Sequence, residues 1–253
     1  MTLPPISAAE IVAEINACDP REWLIATDAD GTLWDGDVGE DVWASLTDHD
    51  LLSEESAPAS SVLAAAAGLS TDGDATALSA RLRDAYARGA LDDRASFEAA
   101  ALALSGHDLQ TVVPHVDAAL RAAGVRARTH AAMRAIVGAA RARGVDVVVV
   151  TASARIVVER ALAEAELEVS AILGVELEQH GQHLSPALAA ALPYREAKAA
   201  LLRAHAPGGR VLFAFGDSPY DAELLRLART PVAVRPKPRL VSAGVPGLRE
   251  LSL

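Results

Sequence analysis

Three short runs with almost no polar residue constrain this chain more than anything else in it: WLIAT (23–27), VDVVVV (145–150) and VLFAF (211–215). Strands half-exposed to water alternate apolar with polar residues. These runs do not, so each reads as a strand covered on both faces, as in a parallel sheet. Helical periods lie around them. Residues 129–143 are amphipathic and end at Gly144, a C-terminal cap, and 154–166 and 195–205 share the period. Strand–helix alternation with right-handed crossovers gives an α/β fold built on a doubly wound, mostly parallel, Rossmann-like sheet.

Residues 35–125 break that rhythm. They hold Ala- and Leu-rich helical stretches at 60–68, 74–88, 93–104 and 108–123, punctuated by Gly, Ser and Asp. The reading is a helical unit at 35–125 inserted into a core made of 1–34 and 126–253. Residues 169–186 read as a hairpin leaving the sheet, and PVAVRPKPRL as a short strand closed by prolines.

Composition narrows the partners. The chain has 253 residues, 51% hydrophobic but only 4% aromatic, so its core is Ala, Val and Leu. A net charge of −11 argues against nucleic acid and anionic membranes, which need basic patches. Cys18 is alone, so no internal disulfide forms. No leader pattern and no apolar run near the roughly 20 residues of a span is visible. The expectation is a soluble, cytoplasmic protein of undefined oligomeric state acting on a small molecule.

In open α/β sheets, ligands gather beyond the carboxyl ends of the strands. Here those ends carry Asp28 and Asp30, Thr151, and Asp217 with Asp221, and Lys198 opens a nearby helix. Carboxylates beside a hydroxyl and an ammonium suit a hard cation such as Mg2+ and a phosphoryl group, and suit zinc poorly. One aspartate can act as nucleophile, while a second, two residues on, serves as acid and then base. Gly31 lets the chain turn, so that amides face phosphoryl oxygens.

On these residues the chain resembles the haloacid dehalogenase superfamily, in its phosphoserine-phosphatase-like branch with a helical cap. DADGT (28–32) is similar to the nucleophile motif and VVVVTAS (147–153) to the strand ending in Thr or Ser. Lys198 in YREAKAALL matches the motif lysine, and GDSPYD (216–221) the acidic motif. The resemblance implies a phosphatase in which Asp28 is the nucleophile and Asp30 the general acid/base. Thr151 and Lys198 would hold the phosphoryl oxygens, and Asp28, Asp217 and the Asp30 carbonyl would bind Mg2+. Gly31, Gly216 and Asp221 would support them, and 35–125 would be the cap. Asp37 stands where that branch binds a substrate ammonium, with Asp in place of Glu.

Plainer readings stand beside these. Asp30-Gly31 also suits a simple turn, Thr151 and Ser153 suit helix caps, and Ser218 to Asp221 suits a capping box. Trp34 and Trp43 flank Asp37, Glu40 and Asp41. They offer either an ammonium site, suited to phosphocholine or phosphoethanolamine, or packing at the joint between core and insertion. His180 and His183 flank a hairpin turn, Lys237 reads as solvated between prolines, and Arg155 as a surface arginine. Residues 48–55 read as an exposed acidic face and Asp35 as a solvated residue. The rival functions are a phosphomutase and a silent binding protein of the same fold. A dehalogenase has no use for the acid at Asp30.

Overall fold

The computed structural model describes residues 2–253. Strand β1 (Pro5–Ser7) leads into α1 (Ala8–Ala17) and β2 (Trp23–Thr27). Helices α2 (Val38–Asp48), α3 (Ala57–Ala66), α4 (Ala75–Ala87), α5 (Asp93–Leu102), α6 (Leu109–Ala122), α7 (Val125–Arg128) and α8 (Ala131–Arg143) come after it. Next come β3 (Asp146–Ala154), α9 (Arg155–Glu164), β4 (Ala171–Val175) and a hairpin of β5 (Leu177–His180) with β6 (His183–Leu188). The chain closes with α10 (Glu196–His205), β7 (Arg210–Gly216), α11 (Ala222–Leu225), β8 (Ala228–Ala233), α12 (Pro238–Val241) and β9 (Arg249–Ser252).

Seven strands form one sheet in the order β1-β9-β8-β7-β2-β3-β4, and every adjacent pair is parallel. The apolar runs are apolar throughout because both faces are covered. Leu24, Ala26, Val148 and Val211 pack on one side with Leu202, Leu224 and Leu240. Ile25, Val147, Val149 and Phe213 pack on the other with Ile11, Ile15, Met133 and Ile136. That second cluster continues without a break into the inserted helices through Leu33, Trp34, Trp43 and Leu78. Phe213 is fully buried, and truncating such a ring to Ala costs about 3–5 kcal/mol.

Among the described residues, all secondary structure between β2 and β3 is helical. The polar punctuation read there is chiefly capping: Asp37, Asp74 and Asp92 each accept from an amide in the first turn of α2, α4 and α5. Trp43 is buried, with Nε1 donating to Ser79 Oγ of α4 at 2.8 Å, so it fastens α2 to α4. No helix among the described residues is long and apolar enough to cross a membrane.

The structure departs from the sequence expectations in three places. Strand β3 runs on to Ala154, so Thr151 and Ser153 lie in the strand, and α9 has no side-chain cap. The stretch 169–186 divides: Ala171–Val175 is an edge strand of the sheet, and the hairpin begins only at Leu177. The edge pair β1 and β9 is absent from the sequence expectations. At three and four residues, neither is long enough to show a period.

Candidate active site

β2 lies between β7 and β3, so the chain leaves it in opposite directions along the sheet and opens a crevice beyond its carboxyl end. A cleft of about 750 Å³ occupies that crevice, lined by Asp28, Asp30, Thr151, Lys198, Asp217 and residues of α2, α4 and α5.

Asp28 leaves β2 with its amide donating to the Phe215 carbonyl at 3.0 Å, which ties the nucleophile candidate to the end of β7. Lys198, buried in the first turn of α10, donates to Asp28 Oδ1 at 2.7 Å and to Asp221 Oδ1 at 2.6 Å. The other oxygen of Asp221 accepts from the Ser218 amide at 3.0 Å and the Ser218 hydroxyl at 2.8 Å. Asp221 is therefore both the capping-box acid and the anchor of Lys198. The two expected readings of it coexist.

Burial, reinforced by Asp221, pushes the Asp28 carboxyl well above its usual range, against the pull of Lys198. Burial alone would lower Lys198, but Asp221 and Asp28 outweigh it and hold the ammonium above its ordinary value. Asp217 is raised by burial and by Asp221, with Lys237 opposing. Burial and mutual repulsion of the carboxylates outweigh Lys198 at Asp28, and outweigh Lys237 with Lys198 at Asp217.

Two glycines permit this crowding. Gly31 has φ +73, and a Cβ there would stand 2.4 Å from Asp217 Oδ2. A Cβ on Gly216 would stand 2.5 Å from the Asp221 Cβ. Any side chain at either position displaces a site carboxylate.

Asp30 is gripped on both oxygens. Oδ1 accepts from Trp34 Nε1 at 2.9 Å and the Val38 amide at 2.8 Å, and Oδ2 accepts from Ser153 Oγ at 2.6 Å. Burial raises its carboxyl above the ordinary value, while these three donors oppose the rise. Trp34 is fully buried and outside the cleft lining, so it holds Asp30 and offers no face to a substrate. Asp37 lines the cleft half-buried, raised well above its usual range by burial, Asp30 and Glu40.

Asp28, Asp217 and Asp221 each bring one oxygen within 4.8 Å of the others, and no His or Cys is among the residues lining the cleft. An all-carboxylate set fits a hard divalent cation. Both oxygens of Asp221 are held at 3.0 Å or less. Asp28 Oδ2 has only the Thr32 hydroxyl at 3.5 Å, and Asp217 is bound through Oδ2 to Lys237. Asp28 and Asp217 are therefore the carboxylates with an oxygen to spare for such a cation.

Lys237 departs from its solvated reading. Its side chain is largely exposed, yet Nζ lies 3.0 Å from Asp217 Oδ2 and its amide donates to the Asp217 carbonyl at 2.7 Å. It belongs to the cleft because β8 and the prolines after it aim it back over β7. The cue was its rarity, since lysine occurs only at 198 and 237. Tyr86, Asp93, Phe97, Tyr194 and Tyr220 also line the cleft. Tyr194 and Tyr220 sit within YREAKAALL and GDSPYD, but the sequence reading gave them no role, and no motif marks Tyr86, Asp93 or Phe97. Arg155 pairs with Glu176 at 2.6 Å outside the cleft lining. Asp35 pairs with Arg235.

Fold and site together define a Rossmann-like α/β hydrolase with a helical insertion after its first central strand. The family model for haloacid dehalogenase-like hydrolases matches residues 25–226, and the chain belongs to that family. No curated protein sequence matches it. Among solved structures, a protein of unknown function from Bordetella pertussis Tohama I is similar over 91% of this chain and 98% of its own, at 18% identity and TM-score 0.66. A family hydrolase from Salmonella enterica serovar Typhi is similar over 91% of this chain and 67% of its own, at 19% identity and TM-score 0.55. A phosphoserine phosphatase with its substrate bound aligns over 90% of this chain and 92% of its own, at 16% identity and TM-score 0.51. Likeness at such identity establishes the fold.

Proposed function

We propose that the chain is a Mg2+-dependent phosphomonoester hydrolase working through an aspartyl-phosphate on a small metabolite. The observation that carries this reading is the buried Lys198 ammonium pinned between Asp28 and Asp221, with Asp30 gripped across the same cleft. In this reading an Asp28 oxygen attacks phosphorus, the P–O bond to the alcohol breaks, and Asp30 gives its proton to the departing oxygen. Asp30 then takes a proton from the water that attacks phosphorus, freeing Asp28 and inorganic phosphate. Lys198 and the Thr151 hydroxyl hold phosphoryl oxygens throughout. Mg2+ held by Asp28, Asp217 and the Asp30 carbonyl supplies charge neutralisation on those oxygens. Residues 35–125 act as the cap over a core of 1–34 and 126–253.

The leaving-group side of the cleft favours an amino-bearing ester. Asp37, Glu40 and Asp93 line it with Tyr86, Phe97, Tyr194 and Tyr220, and among the described residues none of those three carboxylates is in an ion pair. An ammonium there gains charge contacts from the three carboxylates and cation–π contacts with the rings of Tyr86 and Phe97. The Arg195 guanidinium already lies over the rings of Tyr194 and Tyr220. A carboxylate beside Asp37, Glu40 and Asp93 meets repulsion. Phosphoethanolamine and phosphocholine therefore rank above phosphoserine.

The test is Mg2+-dependent phosphate release from phosphoserine, phosphocholine, phosphoethanolamine and sugar phosphates, with Asp28→Asn as control. The expected result is hydrolysis of at least one ester, reduced by a factor of about 10³ or more in the variant. No release from any ester, or an unchanged rate in Asp28→Asn, defeats the proposal. Phosphate moved between positions of one sugar without release identifies a mutase instead.

A further inference from the structure

The grip on Asp30 is asymmetric, and the asymmetry bears on where its proton sits. Oδ1 takes two N–H donors, from Trp34 at 2.9 Å and Val38 at 2.8 Å, and neither group can accept a proton in return. Oδ2 takes the Ser153 hydroxyl at 2.6 Å, and a hydroxyl can donate to a carboxylate or accept from a carboxylic acid. Protonating Oδ1 sets a hydrogen against two N–H groups. A protonated Oδ2 can still accept from the Ser153 hydroxyl through its remaining lone pair, with its own hydrogen pointing elsewhere.

The backbone fixes both partners. Gly31 donates to the Gly36 carbonyl at 3.0 Å and Leu33 to Ala29 at 2.7 Å, closing the turn that carries Trp34. Trp34 bridges to Thr129, and its ring is fully buried. Ser153 stands on β3, two residues beyond Thr151, with its amide donating to Thr151 Oγ1 at 3.1 Å. Both Asp30 and Ser153 line the cleft.

We infer that Trp34 and Ser153 are positioning residues for the acid–base step: Trp34, with the Val38 amide, saturates Oδ1 so that the exchangeable proton resides on Oδ2, and Ser153 holds Oδ2 towards the leaving-group oxygen. The inference rests on the phosphatase reading above. As the Asp28–phosphorus bond forms and the phosphorus–oxygen bond to the alcohol breaks, that oxygen keeps the bonding pair and takes the Oδ2 proton. Asp30 is left as the carboxylate that both N–H donors and Ser153 stabilise.

The measurement is kcat/KM, which covers only events up to departure of the alcohol, for two esters of unlike leaving group. An alkyl ester such as phosphoethanolamine needs a proton delivered to its oxygen, whereas p-nitrophenyl phosphate releases a phenolate stable enough to leave bare. General acid catalysis contributes factors of about 10²–10⁴. Ser153→Ala and Trp34→Phe are therefore expected to lose at least about tenfold more on the alkyl ester than on the aryl ester, as Asp30→Asn does. Melting curves check that each variant is folded. If Trp34→Phe does not fold, Ser153→Ala alone decides.

Equal loss on both esters, or no loss, overturns the inference while the phosphatase reading stands. If Asp30→Asn itself fails to discriminate, the acid assignment falls, and the inference with it. If the wild-type protein cleaves neither ester, the phosphatase reading is what has failed.

Discussion

At the scale of single residues, the site trades stability for chemistry. Lys198 carries a buried charge that two carboxylates stabilise, and removing one member of such a group costs about 3–5 kcal/mol. Asp217 is the opposite case. Burial and Asp221 raise its carboxyl, so its ionised form costs more in the fold than in the unfolded chain. That cost is present at neutral pH and disappears as pH falls through the raised value. Asp217→Asn is therefore expected to melt higher than wild type in a chelating buffer. The largely exposed Lys237 loses little when its partner goes. Added Mg2+ should raise the wild-type melting temperature through binding to the folded state and leave the variant unmoved. A lower melting temperature for the variant in chelator would refute the trade. The residues of this centre were legible because strand-end acids, Thr151 and Lys198 each carry a local cue. Packing of Trp34 at the joint between core and insertion was one of its two sequence readings and is what the structure shows, but its hydrogen bond to Asp30 was not legible. Burial against Thr129 is a long-range fact that no local pattern carries.

At the scale of elements, the β5–β6 hairpin does more than leave the sheet. Gly106 donates to the Leu184 carbonyl at 2.7 Å, Leu184 to His107 at 3.0 Å, and Leu109 to Gln182 at 2.9 Å, joining the hairpin to the turn between α5 and α6. His183 adds Glu55 at 3.0 Å and Asp108 at 3.2 Å. The hydrogen bond to Glu55, with Asp108, raises the imidazole above its ordinary value. A base stabilised in its charged form contributes stability that is full below about pH 6.5 and fades as pH rises through the folded value. His183→Gln should therefore lower the melting temperature at about pH 5.5, and the gap from wild type should close by about pH 9. A gap independent of pH would show that the ring matters only for packing. The hairpin was legible from its alternation and Gly181, whereas its docking was not, since a period reports which face is buried and not against what. The residues 48–55, read as one exposed acidic face, in fact spend Asp48 on Arg83 at 2.6 Å and Glu55 on His183.

At the scale of the whole molecule, the parallel sheet was legible because a strand buried on both faces writes that fact into every residue, as β2, β3 and β7 do. The edge strand β1 and its neighbour β9 are too short to leave such a trace. The inserted helices meet the core at several separated points. Val38 at the head of α2 donates to Asp30, Tyr220 reaches Asp93 at the head of α5, Arg160 of α9 grips Asp117 of α6 at 2.6 and 2.8 Å, and the hairpin clasps the turn after α5. Swinging the helices away from the sheet as a body must break all of these together, so such an event is rare and its frequency can be read as a clock. The amides of Gly106 and Leu109 reach across from the inserted helices to the hairpin, and their exchange with deuterated water counts how often that clasp comes undone. Both are expected to exchange as slowly as the central amides of α8. Exchange as fast as that of an exposed turn would mean that the clasp opens freely while the sheet stays whole.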